Sequence, residues 1–364
     1  MIPQLRSHFE CSTLDAFAGR IVRRWRSLAE RLGHAIPDAT AYDETCNVAG
    51  AVLEIPEAAR WFAASYPLVV LDEAQDLHPA RLRVMRALEP HVQLLAAADE
   101  FQCLIAALRP NPACDWIARF EDVTNLTAPR RTAVGHLLNA AAALRRGESP
   151  LSGGPFSIRA AGTPALAGAH VSGEIQWYRQ GGTVAIISPT NNRYVTEALT
   201  WVETRTTNRG CGPHRLEREL SEGDEIAVIL ARLVLAPSAS FPEVIAAISA
   251  CSAPVIAHGV TASLDILRRA RGRNQFGRDE IKEMIRREVA AKRARRTSHS
   301  AVRAMTVYGA KNREFDLAIV LWPGNVAGTD DQKRRLLYNA VTRAKRRCLV
   351  LVQVAAHLRA APFA

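Results

Sequence analysis

Apolar and polar positions along the chain fall into blocks that read alternately as strands and helices. Pro67 to Leu71 is an unbroken apolar run that stops at Asp72 and Glu73. Such a run predicts a strand buried on both faces of a parallel sheet, with its carboxylates emerging at the C-terminal edge, where open α/β sheets place ligands. After it, Leu77, Leu82, Met85 and Leu88 recur among charged residues at helical spacing and end at Pro90. Before it, Phe17, Ile21, Val22, Trp25 and Leu28 mark a basic amphipathic helix behind the candidate caps Ser12, Thr13 and Asp15, and residues 56–64 read as a shorter helix. Residues 34–52 are weakly patterned and read as loop or a reduced insertion. A second apolar run, Val92 to Ala98, ends at Asp99 and Gln102 and predicts a strand beside the first.

Beyond Phe120 the pattern predicts a strand-like start, a turn at Pro129 and a helix through Leu137 and Leu138. Glycine and proline in residues 147–155 mark a surface break, which places a domain change between about 125 and 155. Thr183 to Val202 reads strand, turn, helix, and residues 203–220 read as polar loop. From Asp224 to Ala250 the chain is helix-rich, broken at Pro237 and Pro242. It closes with a strand over Leu317 to Trp322, a helix packing on Leu336, Leu337, Tyr338 and Val341, and a strand over Cys348 to Val354. The class is α/β.

Length and composition agree with this reading: 364 residues at 48% hydrophobic content are enough for two ordinary cores. The net charge of +11 favours a polyanionic partner, although an arginine-rich background gives the same number. Between Arg268 and Arg296, twelve Lys/Arg stand against four Asp/Glu, the densest basic stretch, which fits either a nucleic-acid backbone contact or a solvated arm. Arg20, Arg23, Arg24 and Arg26 pose the same two choices, and Trp116 reads either as a base-stacking platform or as core. Seven scattered cysteines without a CxxC pair predict reduced thiols in a cytoplasmic protein with no zinc module. The first residues lack the apolar core of a signal peptide, and no window reaches membrane-spanning length, so no membrane partner is expected.

The candidate chemistry lies at the strand ends. A lone Asp-Glu pair is ordinary there, but the whole Asp72-Glu-Ala-Gln-Asp76 run behind a hydrophobic strand suits a nucleoside-triphosphatase that must hold Mg²⁺ and orient water. Gln102 has an amide able to donate and accept toward a terminal phosphate or its attacking water. Arg343 and Lys345 stand where the last helix ends, in position to reach a γ-phosphate.

In order and wording these segments resemble the UvrD/Rep-like superfamily 1 DNA helicases. Residues 12–17, STLDAF, look like the early DNA-contacting motif, with Ser12, Thr13 and Phe17; residues 69–76, VVLDEAQD, look like Walker B. Asp99 and Gln102 match the Gly-Asp-x-x-Gln motif with Ala98 in place of glycine. Residues 126–132, LTAPRRT, are similar to the Asn-Tyr-Arg-Ser element, with Arg131 on the phosphate-contacting arginine and Pro129 and Arg130 departing from the usual pair. VAIISPT at 184–190 resembles the next core strand, and TVYGAKNREFD at 306–316 brings Glu314 to a nucleotide contact, with Tyr308 replacing the common histidine. YNAVTRAK at 338–345 is the last motif, with Arg343 as arginine finger.

The resemblance implies two RecA-like parallel-sheet domains of the P-loop NTPase type with small helical insertions. The first would cover residues 1–128, and the second residues 129–364 with a helical basic insertion at about 205–300. It also implies an ATP-dependent helicase or translocase of 3′-to-5′ polarity, acting on single-stranded or partly duplex DNA. In it Asp72 holds Mg²⁺, Glu73 activates water, Gln102 reports the terminal phosphate, and Arg131, Glu314 and Arg343 complete the ATP site. DNA contacts fall to Ser12, Thr13, Phe17 and Thr306, and the charge of the basic stretch adds Arg286 and Arg287.

No GxxxxGK[ST] occurs in the chain, and only 56 residues separate Asp15 from Leu71. Without that loop there is no nest of backbone amides and no lysine on the β/γ-phosphates. The expectation is a first domain truncated ahead of its DNA-contacting motif, with a Walker A segment supplied upstream or by a separate chain. The isolated chain is then inactive in ATP hydrolysis. The alternative is a non-hydrolysing DNA-binding or protein-interaction remnant of a helicase.

Overall fold

The computed structural model describes residues 10–37, 41–178, 182–219, 222–294 and 302–364. Its contacts divide the chain into two units, Met1–Asn125 and Leu126–Ala364.

The first unit runs α1 (Leu14–Arg24), α2 (Arg26–Arg31), α3 (Tyr42–Leu53), α4 (Pro56–Ser65), β1 (Leu68–Leu71), α5 (Pro79–Leu88), β2 (Gln93–Ala96) and α6 (Pro112–Ile117). Thr13 starts α1 by accepting from Ala16 N at 3.2 Å, with Asp15 favourably placed in the first turn. Ala18, Ile21 and Val22 of α1 then pack with Val48, Val52, Phe62, Val84 and Leu88 from α3, α4 and α5.

Two expectations fail here. Of residues 34–52, read as loop or a reduced insertion, residues 42–52 are not loop but form α3, which is buried from Val48 through Leu53. That half of the helix is buried throughout and shows no polar stripe, so periodicity does not reveal it, although Asp43, Glu44 and Asn47 are exposed in the first half. β1 is also not buried on both faces: Leu68, Val70 and Leu95 are 54%, 61% and 63% exposed, while Val69, Leu71 and Leu94 face the packed side. β1 and β2 pair in parallel as a two-stranded sheet with helices on that one side. An apolar run shows that both strand faces are hydrophobic, but which face is covered depends on the neighbours.

The second unit runs α7 (Gly135–Arg146), β3 (Phe156–Ala160), α8 (Pro164–Trp177), β4 (Val184–Ser188), α9 (Arg193–Thr204), β5 (Glu217–Arg218), α10 (Glu222–Arg232), β6 (Ser238–Ser240), α11 (Phe241–Cys251), α12 (Pro254–Arg271), β7 (Gln275–Gly277), α13 (Arg278–Ala294), β8 (Val302–Thr306), β9 (Phe315–Trp322), α14 (Asp330–Val341) and β10 (Ala344–Val352). A six-stranded parallel sheet in the order β3-β10-β9-β4-β8-β5 forms its centre. On one face Leu317, Ile319, Leu321, Leu349 and Leu351 meet Val171 and Ile175 of α8 and Val195, Ala198 and Val202 of α9. On the other, α7 and α14 pack on each other and against β9 and β10. This α/β arrangement is consistent with a RecA-like fold.

Between β5 and β8 lies a helical insertion with a core of its own, including Ile248, Ile256, Val260, Leu264, Phe276, Ile285 and Val289. Pro242 starts α11 rather than breaking a helix, as proline suits the first helical turn. The antiparallel pair of β6 and β7 was not anticipated from the sequence. The strand expected after Phe120 is absent: residues 121–134 are irregular, and Val123 and Leu126 are 48% and 91% exposed.

The seven cysteines are free thiols, and burial pushes Cys46 and Cys348 up to about 12, where they are inert as nucleophiles. Among the described residues no helix is long and apolar enough to cross a membrane. Ile319 is fully buried in β9 between two paired strands. Ile319→Ala is therefore expected to destabilise the second unit by about 2–5 kcal/mol, measured as a lowered urea midpoint at unchanged slope. A midpoint matching the parent would contradict this packing.

Candidate functional site

Two clusters of the expected residues form, one in each unit. In the first, backbone bonds continue past the strands, Ala97 N to Leu71 O at 2.8 Å and Ala74 N to Ala97 O at 2.9 Å. They hold the turn that follows β1 against the end of β2. Asp72 is exposed there, one carboxylate oxygen accepting from Glu73 N at 2.9 Å. Glu73 has φ 55° and ψ 39°, a left-handed conformation that costs a non-glycine residue on the order of 1–3 kcal/mol and often marks a functional turn.

Gln75, 1% exposed, links the two strand ends. Its amide nitrogen donates to the Glu73 carboxylate, and its amide oxygen accepts from Asp99 N at 2.9 Å. Asp99 in turn accepts from Phe101 N at 3.1 Å and from the Gln102 amide at 2.8 Å. Asp72, Glu73, Gln75, Asp99 and Gln102 thus form one hydrogen-bonded row. The sequence reading gave no role to Gln75, nor to Asn111, which donates to Gln75 O at 2.8 Å while capping α6 through Ala113 N and Cys114 N. The signal for Asn111 was present in sequence as an Asn-Pro step ahead of a helix.

In the second unit Arg131, Glu314 and the end of α14 converge from distant parts of the chain. Arg131 Nε lies 2.8 Å from Glu314 Oε1, and its Nη1 donates to Thr342 O at 3.1 Å. Thr132 donates to Lys345 O at 2.6 Å, and Phe315 N to Arg343 O at 2.8 Å. The cluster sits where β9 and β10 begin, and Arg131 holds it although residues 121–134 are irregular. Arg343 is 1% exposed, with Nε donating to Asn339 O at 3.0 Å, so its guanidinium is folded against α14.

The other assignments are more dispersed. Thr13 is used as the α1 cap, and Phe17 packs edge-on against Phe62 with centroids 5.0 Å apart. Ser12 is exposed beside them. Thr306 ends β8 and receives Gly309 N at 3.2 Å, while Tyr308 stands 55% exposed. Trp116 belongs to the core, 4% exposed and donating from Nε1 to Glu89 at 2.8 Å. Arg286 and Arg287 lie on α13, both beside Glu283 at 3.5 Å and 3.8 Å. The rest of the basic stretch, residues 295–296, lies outside the described residues.

Charge separates sharply between the units. Residues 1–125 carry 12 Lys/Arg against 17 Asp/Glu, and residues 126–364 carry 35 against 19, giving net charges of −5 and +16. The second unit therefore supplies the field that attracts a polyanion.

Among the described residues no group of three or more His, Cys, Asp or Glu gathers as a metal cage. Mg²⁺ bound with a nucleotide needs none, since one carboxylate and phosphate oxygens suffice with water, and exposed Asp72 fits that donor set.

Residues 301–351 match the UvrD-like helicase C-terminal domain. The matched stretch includes Thr306, Tyr308, Glu314 and Arg343, two of which belong to or adjoin the cluster that Arg131 closes. No curated protein matches the chain. This match supports a relationship of residues 301–351 to UvrD-like helicases and suggests a helicase-related role with DNA as the partner.

Proposed function

We propose that these residues serve an ATP-driven, UvrD-like helicase or translocase of 3′-to-5′ polarity, with the phosphate loop contributed by sequence outside the 364 residues. The observation that carries this reading is the pairing of Arg131 with Glu314 across 183 positions of sequence, Glu314 lying within the stretch that matches the UvrD-like helicase C-terminal domain and Arg131 outside it. An arginine so placed meets phosphate as a planar fork, and Glu314 beside it orients the fork and accepts from a ribose hydroxyl. In the first unit Asp72 takes Mg²⁺, Glu73 accepts the proton of the attacking water, and Gln102 orients that water. Bound Mg²⁺ supplies neutralisation of charge on the β- and γ-phosphate oxygens. Arg343 acts as the finger after turning its guanidinium away from Asn339 O, where it now donates.

A second reading, a non-hydrolysing DNA-binding remnant, draws support from that same burial of Arg343 and from the absence of GxxxxGK[ST]. The two readings separate in a phosphate-release assay with saturating single-stranded DNA. The chain alone is expected to turn over well below roughly 1 s⁻¹. Addition of a phosphate-loop segment from the native upstream sequence or a partner chain is expected to restore turnover. In that assembly Arg343→Lys lowers kcat at least ~100-fold in protein that thermal unfolding shows to be folded at the assay temperature, since lysine keeps the charge and loses the fork. Full-rate turnover by the lysine variant would remove the finger, and no turnover in any assembly would favour the remnant.

DNA binding is tested through salt. If Arg286 and Arg287 each neutralise a phosphate, replacing both with glutamine flattens the plot of log affinity against log salt by about 1.4 for single strands. An unchanged slope in a folded variant would make them a solvated face held by Glu283.

A further inference from the structure

Glu314 lies at the end of an unusual connection. β8 and β9 both run parallel to β4, so the chain must return from the C-terminal end of β8 to the N-terminal end of β9. It does so in residues 307–314, whose turns use local bonds such as Ala310 N to Thr306 O at 3.0 Å and Arg313 N to Ala310 O at 3.2 Å. Asn312 takes φ 59° in this segment. Such a return ordinarily takes a dozen or more residues with a helix, so its path depends on what ties it down.

Arg313 is one such tie. Its guanidinium grips Glu219 with both nitrogens, Nη1 to Oε2 at 2.7 Å and Nη2 to Oε1 at 3.0 Å, and its Cζ lies 5.3 Å from the Phe315 ring centre. Glu219 is 8% exposed, and its backbone N donates to Ala304 O at 2.7 Å. Arg303 Nη1 stands 3.9 Å from Glu219, and Arg303 Nε stands 3.8 Å from Glu217. Glu217 and Glu219 belong to the chain entering the helical insertion, and Arg303 belongs to the chain leaving it. The four charges therefore join both ends of the insertion to the residue next to Glu314. A two-nitrogen grip on a buried carboxylate is directional, which a general electrostatic attraction is not.

We propose that Glu219 and Arg313 form a positioning clamp that ties the segment carrying Glu314 to the root of the helical insertion, so that movement of the insertion reaches the carboxylate paired with Arg131. Its effect on nucleotide rests on the proposed reading of Glu314. Its effect on the segment does not.

Hydrogen exchange read by mass spectrometry on the full chain tests it, comparing the parent with Arg313→Met and with the double variant Glu219→Met/Arg313→Met. The double variant removes both charges, and so avoids leaving one buried carboxylate alone. Amides of residues 307–314 are expected to exchange at least ~10-fold faster in the double variant, with residues 317–322 unchanged, and Arg313→Lys is expected to fall between. Equal exchange in a folded double variant overturns the clamp. Failure of the double variant to fold also overturns it, by making the cluster a staple of the whole fold. Titration with a fluorescent ATP analogue and Mg²⁺, with the phosphate-loop segment present, is the second arm. Loosened exchange with about 10-fold weaker nucleotide binding supports both proposals. Loosened exchange in the double variant, together with a parent that binds no nucleotide, supports the clamp and overturns the reading of Glu314.

Discussion

The second unit depends on burying β9 and β10 on both faces. Their side chains alternate between two helical layers, with Leu317, Ile319, Leu349 and Leu351 toward α8 and α9. A parallel sheet covered in this way cannot use hairpins between its strands, so every connection must cross a face or leave the sheet. The chain crosses a face with helices in most places. Between β8 and β9 it crosses with the short segment 307–314, and between β5 and β8 it leaves for an entire helical insertion. The Arg131–Glu314 pair is a consequence, because the short crossover sets Glu314 down at the start of β9 beside the end of α14.

The first unit balances strain and hydrogen bonding differently. Glu73 occupies a left-handed backbone conformation, and the buried Gln75 answers it with bonds to the Glu73 carboxylate and to Asp99 N. A buried amide that satisfies groups on two strand ends makes their relative placement specific, since breaking either bond strands a polar atom away from water. Exposed Leu68, Val70 and Leu95 stand on the opposite face of the same strands. Polar order and apolar exposure thus coexist within a few residues.

Charge adds direction. The net +16 of residues 126–364 acts at long range even where individual cations are paired, because a pair cancels only its own two charges. Arg268 and Arg269 share Asp265, Arg273 meets Glu280, and Lys292 meets Glu225. These contacts fix side chains on the insertion, while the excess of cations over acids remains to draw a polyanion. The more exposed of these pairs, such as Arg269 with Asp265, are each worth about 0–1 kcal/mol to the fold.

By itself the sequence determined the strands that end in chemistry. The apolar runs before Asp72 and Asp99, and the run after Glu314, fall on β1, β2 and β9, because a strand ending in polar residues is a local pattern. Period and capping likewise located α1, α5, α9 and α14. Tertiary structure decided what has no local signature. The C-terminal half of α3, Val48 to Leu53, is buried throughout and carries no polar stripe, and the outer faces of β1 and β2 are exposed although their residues are as apolar as those inside. Gln75 and Asn111 became bridges only when two strand ends and a helix start met. Arg131 lies in an irregular stretch, and Arg313 beside Glu314 carries no local signal of its partner. Their partners are 183 and 94 positions away, a distance that only folding closes.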